Sequence, residues 1–132
     1  MLAVKPRKPA EPPLPVIVVA DDLIWSSRLR AAVERAGTTA VTVGSAAGLG
    51  RALTESLEES PVVVDLNGRA YDGVDAVGVA AEEGHPVIAV GQHEDIELRK
   101  RALGAGAIRV FSYNKLFADG PAVITKLLEG EL

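Results

Sequence analysis

The chain has 132 residues, a length typical of one domain, and a formal net charge of −4. It contains no cysteine, which excludes a disulfide framework, thiolate metal sites and cysteine nucleophiles and makes a reducing cytoplasm the simplest compartment. Nucleic-acid-binding domains are usually basic, and the apolar runs here are far shorter than the ~20 residues of a membrane span. We therefore expect neither nucleic acid nor a membrane as a partner.

The N-terminal segment differs in composition from the rest of the chain. Five of the eight prolines fall within the first 15 residues. They are Pro6, Pro9, Pro12, Pro13 and Pro15. Proline lacks an N–H group and biases the preceding residue towards extended backbone. We predict a disordered Pro-rich tail over residues 1–14 and one folded domain over residues 15–132.

Beyond the tail, short β-branched runs alternate with amphipathic stretches. Uninterrupted runs such as 15–20 are typical of strands buried on both faces, and Gly37 marks the end of a predicted helix. The predicted elements, in chain order, are strand 15–20, helix 23–36, strand 39–43, helix 46–59, strand 61–65, helix 74–83, strand 86–90, helix 94–104, strand 108–111 and helix 121–128. His85, in the turn before the fourth strand, is expected to be exposed.

Five successive strand–helix units predict an α/β fold of three layers. We expect a doubly wound, flavodoxin-like (βα)5 domain with a parallel five-stranded sheet in the order 2-1-3-4-5 and helices on both faces. In such folds the functional crevice lies at the carboxyl ends of the strands. The residues that directly follow each strand are therefore the first candidates for a site.

Three carboxylates fall at this edge of the predicted sheet. Asp21 and Asp22 follow the first strand, and Asp65 ends the third, which is its neighbour in the predicted order. Carboxylates placed close together repel unless a cation joins them, and Mg²⁺ is a natural partner for oxygen ligands. The alternative is that these residues serve as helix caps and turn formers.

A nine-residue stretch carries the most specific signal. Residues 65–73, Asp-Leu-Asn-Gly-Arg-Ala-Tyr-Asp-Gly, match the pattern D-x-N-x-P-x-x-D-G apart from the proline. With the acidic pair and the run at 102–107, this stretch makes residues 15–130 resemble the receiver domain of two-component response regulators, the chemotaxis-receiver fold. The resemblance implies that Asp65 is the phospho-acceptor and that Asp21, Asp22, Asp65 and the carbonyl of Asn67 are metal ligands.

The chain departs from this family where the chemistry of phosphorylation is concentrated. Receivers carry a Ser or Thr after the fourth strand, an aromatic residue on the fifth strand and a Lys after it. Those positions here hold Gly91, Val110 and Tyr113. A phosphoryl group on the acceptor would lose one neutral and one cationic hydrogen-bond partner. Arg69, in place of the proline, and Lys115 are candidates for a compensating cation.

The leading hypothesis is an atypical receiver, or pseudo-receiver, in signal transduction rather than an enzyme. It would act mainly through protein–protein contacts, with phosphorylation at Asp65 impaired or absent, and its partner would be a histidine kinase or an output protein. A homodimer through the 94–104 helix, the fifth strand and the last helix is a further expectation. One alternative is a working phosphorelay receiver that takes a phosphoryl group onto Asp65 with weakly bound Mg²⁺, and another is a small α/β hydrolase or ligand-binding domain. Trp25 is either a packing residue or an exposed partner anchor.

Overall fold

The computed structural model describes residues 13–56 and 59–132. These residues form a parallel five-stranded sheet in the order β2-β1-β3-β4-β5, flanked by five helices, which confirms the predicted fold class. The strands are β1 (Val16–Val19), β2 (Ala40–Val43), β3 (Val62–Asp65), β4 (Val87–Gly91) and β5 (Arg109–Ser112). The helices are α1 (Leu23–Arg35), α2 (Ala46–Glu55), α3 (Gly73–Glu82), α4 (Ile96–Ala105) and α5 (Tyr113–Glu129).

Residues 1–12 of the predicted Pro-rich tail lie outside the described residues. Its last two residues, Pro13 and Leu14, lead into β1, and the carbonyl of Leu14 accepts a hydrogen bond of 2.7 Å from the hydroxyl of Thr38. Within the described ranges, no helix is long and apolar enough to cross a membrane.

The core lies on both faces of the sheet because successive strand side chains point in opposite directions. On one face Ile17, Val19 and Val64 pack with apolar side chains of α2, α3 and α4. On the other face Val18 and Ile88, with their neighbours, pack with α1 and α5. Fully buried valines and isoleucines on every central strand explain why these strands appear as uninterrupted apolar runs in the sequence.

The last helix begins earlier than the sequence pattern predicts. The predicted helix 121–128 is the part of α5 that follows a kink, but its predicted start was wrong. Helix α5 starts at Tyr113, where the Ser112 hydroxyl caps it by accepting a 3.1 Å hydrogen bond from the backbone N–H of Lys115. Pro121 marks a kink rather than the start of the helix, since Asp119 has non-helical angles of φ −129° and ψ 25°. Proline lacks the N–H that an uninterrupted helix would use, so the helix is broken just before it.

Two smaller expectations also differ from the structure. Helix α2 ends at Glu55 rather than at residue 59, because Ser56 has extended backbone at ψ 121°. His85 is buried rather than exposed, and its Nδ1 lies 2.8 Å from the carbonyl oxygen of Ser60. This contact satisfies a backbone carbonyl at the end of the sheet opposite the predicted site, so His85 has a structural partner there.

Candidate functional site

The candidate site lies at the carboxyl ends of β1, β3, β4 and β5. Asp65 is the last residue of β3 and is paired in register with Val90 of β4, and only 2% of its surface is exposed. Next to it, Gly91 of β4 pairs with Ser112 of β5, so the residue that follows β5 comes to the same edge. The parallel topology thus brings together segments from separate parts of the chain.

The side chain of Tyr113 covers the carboxylate of Asp65. The phenol hydroxyl donates a hydrogen bond to Oδ1 of Asp65, and the side-chain amide of Asn67 donates to the same hydroxyl at 3.0 Å. The N–H of Asn67 also donates to Oδ1 of Asp65, at 3.1 Å. Asp65 at the end of β3, Asn67 just after it and Tyr113 at the start of α5 therefore form one closed hydrogen-bond network around the predicted acceptor oxygen.

Burial controls the ionisation of this network. Burial raises the pKa of Asp65, the charges of Asp22 and Asp21 raise it further, and the bonds from Tyr113 and Asn67 act in the opposite direction. Burial and the bond to Asp65 also raise the pKa of Tyr113. The phenol therefore stays protonated at neutral pH, which is the state in which it can donate to the carboxylate.

Asp21 fixes the loop that follows β3. Its Oδ2 accepts hydrogen bonds from the backbone N–H groups of Arg69 at 2.8 Å and of Ala70 at 2.6 Å. The bond from Ala70 is the main reason why the pKa of Asp21 is lowered, although partial burial acts against it. An ionised Asp21 thus holds this loop against the end of β1.

Asp22 serves as the N-cap of α1, as the structural alternative in the sequence analysis expects. Its Oδ1 accepts a 2.9 Å hydrogen bond from the backbone N–H of Trp25. Within residues 13–56 and 59–132, no group of three or more His, Asp or Glu side chains is arranged to hold a metal ion. Mg²⁺ binding by Asp21, Asp22, Asp65 and Asn67 therefore stays a prediction.

The positions at which receivers carry a Ser or Thr and an aromatic residue hold Gly91 and Val110 here. Gly91 is buried, and a Cβ atom at that position would lie 3.3 Å from Cδ1 of Leu66, so this leucine occupies part of the space that a larger residue would need. Val110 is half-buried against the core formed with α2, α3 and α4. Neither residue provides a hydroxyl group or an aromatic ring.

The two candidate cations lie in different surroundings. Nζ of Lys115 forms a salt bridge of 2.9 Å with Oδ2 of Asp119, one turn further along α5. Both side chains are about half exposed. Arg69 is exposed, and its charge contributes to the lowered pKa of Asp21. The role of either residue in compensating for a missing lysine stays a prediction.

Tyr71 is a residue of this site that the sequence reasoning missed. It is 8% exposed, and its hydroxyl lies 2.7 Å from the carbonyl oxygen of Asp65 and 3.0 Å from that of Val19. A Cβ atom on Gly68 would lie 2.2 Å from the Tyr71 ring, so the glycine makes room for it. An aromatic residue three positions after a glycine in the loop was the available signal.

Replacing Tyr71 with phenylalanine is expected to lower the free energy of unfolding by about 1–3 kcal/mol, because buried carbonyl groups lose their donor. Urea denaturation measures the change. Thr54→Val is the matched control, since it removes a hydroxyl that donates to the Gly50 carbonyl on an exposed helix surface, where water replaces it. Equal effects of the two substitutions would contradict the assigned role of Tyr71.

A cluster of aromatic rings continues outwards from Tyr113. The rings of Trp25 and Tyr113 have centroids 4.4 Å apart and are tilted by 39°. The guanidinium carbon of Arg28 lies 5.1 Å from the Trp25 ring and 4.7 Å from the Phe117 ring. Trp25 is thus a partly buried packing residue that contacts the site, and Phe117 at the outer end is 68% exposed.

The sequence matches no protein-family model and no curated protein. Solved structures do match it. A response regulator receiver domain from Clostridium thermocellum has 18% identity and a TM-score of 0.76, over 89% of this chain and 96% of that one. NtrX from Brucella abortus, in complex with ADP, has 18% identity and a TM-score of 0.78, over 89% of this chain and 27% of NtrX.

A response regulator from Burkholderia pseudomallei, with a phosphorylated aspartic acid, a calcium ion and citrate, matches at 14% identity and a TM-score of 0.72. The match covers 87% of this chain and 66% of the Burkholderia chain. These likenesses establish that the chain has the fold of response regulator receiver domains, as the resemblance in its sequence implies.

Proposed function

We propose that this chain is an atypical receiver domain in signal transduction, which acts mainly by contacting a partner protein and in which phosphorylation of Asp65 is impaired or absent. The partner would be a histidine kinase or an output protein. The observation that carries the proposal is the hydrogen bond from the Tyr113 hydroxyl to the carboxylate of Asp65.

This bond works against phosphorylation in two ways. The phenol lies against the oxygen that would attack a phosphoryl donor, so it must move before the donor can approach. A neutral phenol also cannot balance the charge that a phosphoryl group brings, whereas a lysine at the same position would supply a charge-assisted hydrogen bond. The same contact disfavours Asp65 as the nucleophile of a hydrolase.

The residues at positions 91 and 110 support the part of the proposal that the chain acts mainly through protein contacts rather than through phosphorylation. A ligand shifts a conformational equilibrium only by its differential contacts with the two states. Gly91 has no hydroxyl that a phosphoryl group could attract, and Val110 has no ring that could follow such a movement. A modified Asp65 would therefore transmit little free energy along the route that receivers use.

Weak binding of Mg²⁺ remains part of the proposal, with Asp21, Asp22, Asp65 and the carbonyl of Asn67 as ligands. The carboxylate chemistry suits a hard divalent cation. However, the three carboxylates already accept hydrogen bonds from the protein, and Asp21 and Asp22 use theirs to fix a loop and to cap a helix. Binding would compete with these bonds, which supports a low affinity.

Helix α4 offers a surface for the proposed protein contacts. Two of its apolar side chains, Ile96 and Leu103, are 62% and 47% exposed, and charged side chains of the same helix accompany them. Charges at the rim of such a surface contribute mainly to specificity and association rate. A second copy of the chain remains one candidate for the partner.

The experiment is to incubate the protein with acetyl phosphate and Mg²⁺ and to measure phosphorylation by intact mass. We expect little modification of the unchanged protein. Tyr113→Lys should raise the modified fraction by about tenfold or more, because a charge-assisted hydrogen bond is worth roughly 1.5–3 kcal/mol. The gain should disappear when Asp65→Asn is added.

Asn114→Lys is the matched control, since it adds the same charge one residue further along α5 at an exposed position. It should leave phosphorylation unchanged. Extensive modification of the unchanged protein, lost in Asp65→Asn, would overturn the proposal and establish a working phosphorelay receiver instead.

A further inference from the structure

A continuous set of side-chain contacts joins the Asp65 site to the surface formed by α1 and α5. The hydroxyl of Tyr113 bonds Asp65, the ring of Tyr113 contacts Trp25, and Arg28 stacks on both Trp25 and Phe117. We infer that this stack couples the hydrogen-bond state of Asp65 to the α1–α5 surface and replaces the route through Gly91 and Val110.

The two ends of the stack lie in different environments, as a coupling device requires. Asp65 is 2% exposed, whereas Phe117 of α5 is 68% exposed, and Ile24 and Leu23 at the start of α1 are 62% and 85% exposed. A molecule that contacts Phe117 or Arg28 acts on the outer end of the stack directly. Any change at the carboxylate acts on Tyr113 directly.

Each link in the stack constrains the next one. Tyr113 cannot leave Asp65 without moving its ring against Trp25, because the ring centroids are only 4.4 Å apart. The backbone N–H of Trp25 donates to the capping carboxylate of Asp22, which fixes the start of α1, and the Trp25 side chain is partly buried. Arg28 lies within cation–π distance of two rings from two different helices, so it connects α1 with α5.

The inference goes beyond the proposed function and does not depend on it. It requires only two states of the protein, one in which the hydrogen bond from Tyr113 to Asp65 is formed and one in which it is broken. If Asp65 did accept a phosphoryl group, displacement of Tyr113 would pass along the same contacts. If it does not, a partner at the outer surface would still alter the bond.

Trp25 makes the coupling measurable because it is the one tryptophan of the chain. Tyr113→Phe and Asp65→Ala each remove one partner of the bond, and each should shift the tryptophan emission and increase its quenching by iodide. The double variant should give about the same change as either single variant, because both act through one bond. Thr54→Val is the control, since it removes an exposed hydroxyl on α2 that donates to the Gly50 carbonyl, and it should leave Trp25 unchanged.

Coupling must also run in the opposite direction, and this second measurement uses surface substitutions that leave the core intact. Phe117→Ala should shift the NMR signals of the Asn67 side-chain amide and of the Asp65 and Asn67 backbone amides. Ile96→Ala on α4 is the matched control, because Ile96 is exposed to a similar extent, 62% against 68%.

We expect shifts at Asp65 and Asn67 several-fold larger in Phe117→Ala than in Ile96→Ala. Equal small shifts in the two variants would overturn the inference. So would Trp25 changes in the double variant that equal the sum of the single-variant changes.

Discussion

Replacing Asp65 with asparagine is expected to raise the free energy of unfolding at neutral pH, by an amount of the order of 1 kcal/mol. Burial raises the pKa of Asp65, and the neighbouring charges of Asp22 and Asp21 raise it further, so the ionised carboxylate destabilises the folded state. Asparagine removes the charge and keeps an oxygen that can accept from Tyr113 and Asn67.

The increase in the free energy of unfolding caused by Asp65→Asn should become larger as the pH rises. Below about pH 4, the usual pKa of an aspartate, the carboxyl group is protonated in both states and contributes nothing. As the pH rises, the unfolded chain releases this proton first, so the stability of the unchanged protein falls until the folded-state pKa of Asp65 is passed. The advantage of Asp65→Asn should grow over that interval and then stay constant.

Urea denaturation between acid and neutral pH measures this difference. Asp75→Asn provides the control, because Asp75 is exposed and substitutions at such positions usually change stability by less than about 0.5 kcal/mol. A variant that is less stable at neutral pH, or a difference that does not change with pH, would contradict the account of Asp65 as a strained buried charge.

Replacing Gly73 with alanine is expected to lower the free energy of unfolding by about 1–3 kcal/mol. A Cβ atom at Gly73 would lie 2.7 Å from the Cα and 2.8 Å from the carbonyl oxygen of Leu66, and backbone atoms cannot rotate away as a side chain can. Because Leu66 directly follows Asp65, the displacement should also disturb the bonds from Tyr113 and Asn67 to the carboxylate.

Thermal unfolding and the NMR signal of the Asn67 side-chain amide measure these two effects. Gly50→Ala is the matched control in a helix, since no atom of the described residues outside its local backbone lies within 4 Å of the added carbon. It should stabilise the protein by about 0.4–1 kcal/mol through the lower entropy of the unfolded chain. A neutral Gly73→Ala would show that the loop can move aside.

The sequence was sufficient to predict the sheet and its order. Fully buried strands such as Val62–Asp65 leave a clear signal, because both faces require apolar side chains. The same pattern placed Asp65 and the acidic pair at one edge. The alternative role of Asp22 as a helix cap was also predictable, because a carboxylate before an amphipathic stretch is a local feature.

The hydrogen bond by which Tyr113 covers the Asp65 carboxylate could not be predicted in this way. The sequence indicates that position 113 lacks a lysine, but no local pattern shows that a phenol there reaches a carboxylate 48 residues earlier in the chain. The start of α5 at Tyr113 was also missed. Pro121 is a strong local signal, and it concealed the capping of the preceding segment by Ser112.

The kink at Asp119 divides α5 into parts that are anchored very differently. Before the kink, Leu116 is the buried side chain, whereas after it Val123, Ile124 and Leu127 all lie in the core. Amide groups in weakly anchored segments exchange their hydrogens through local opening, at a free energy well below that of global unfolding. We therefore expect the amide hydrogens of residues 113–118 to exchange faster than those of residues 120–129. Opening of this segment would expose the carboxylate of Asp65 without unfolding the domain, at the cost of the Tyr113 hydrogen bond and of the ring contact with Trp25.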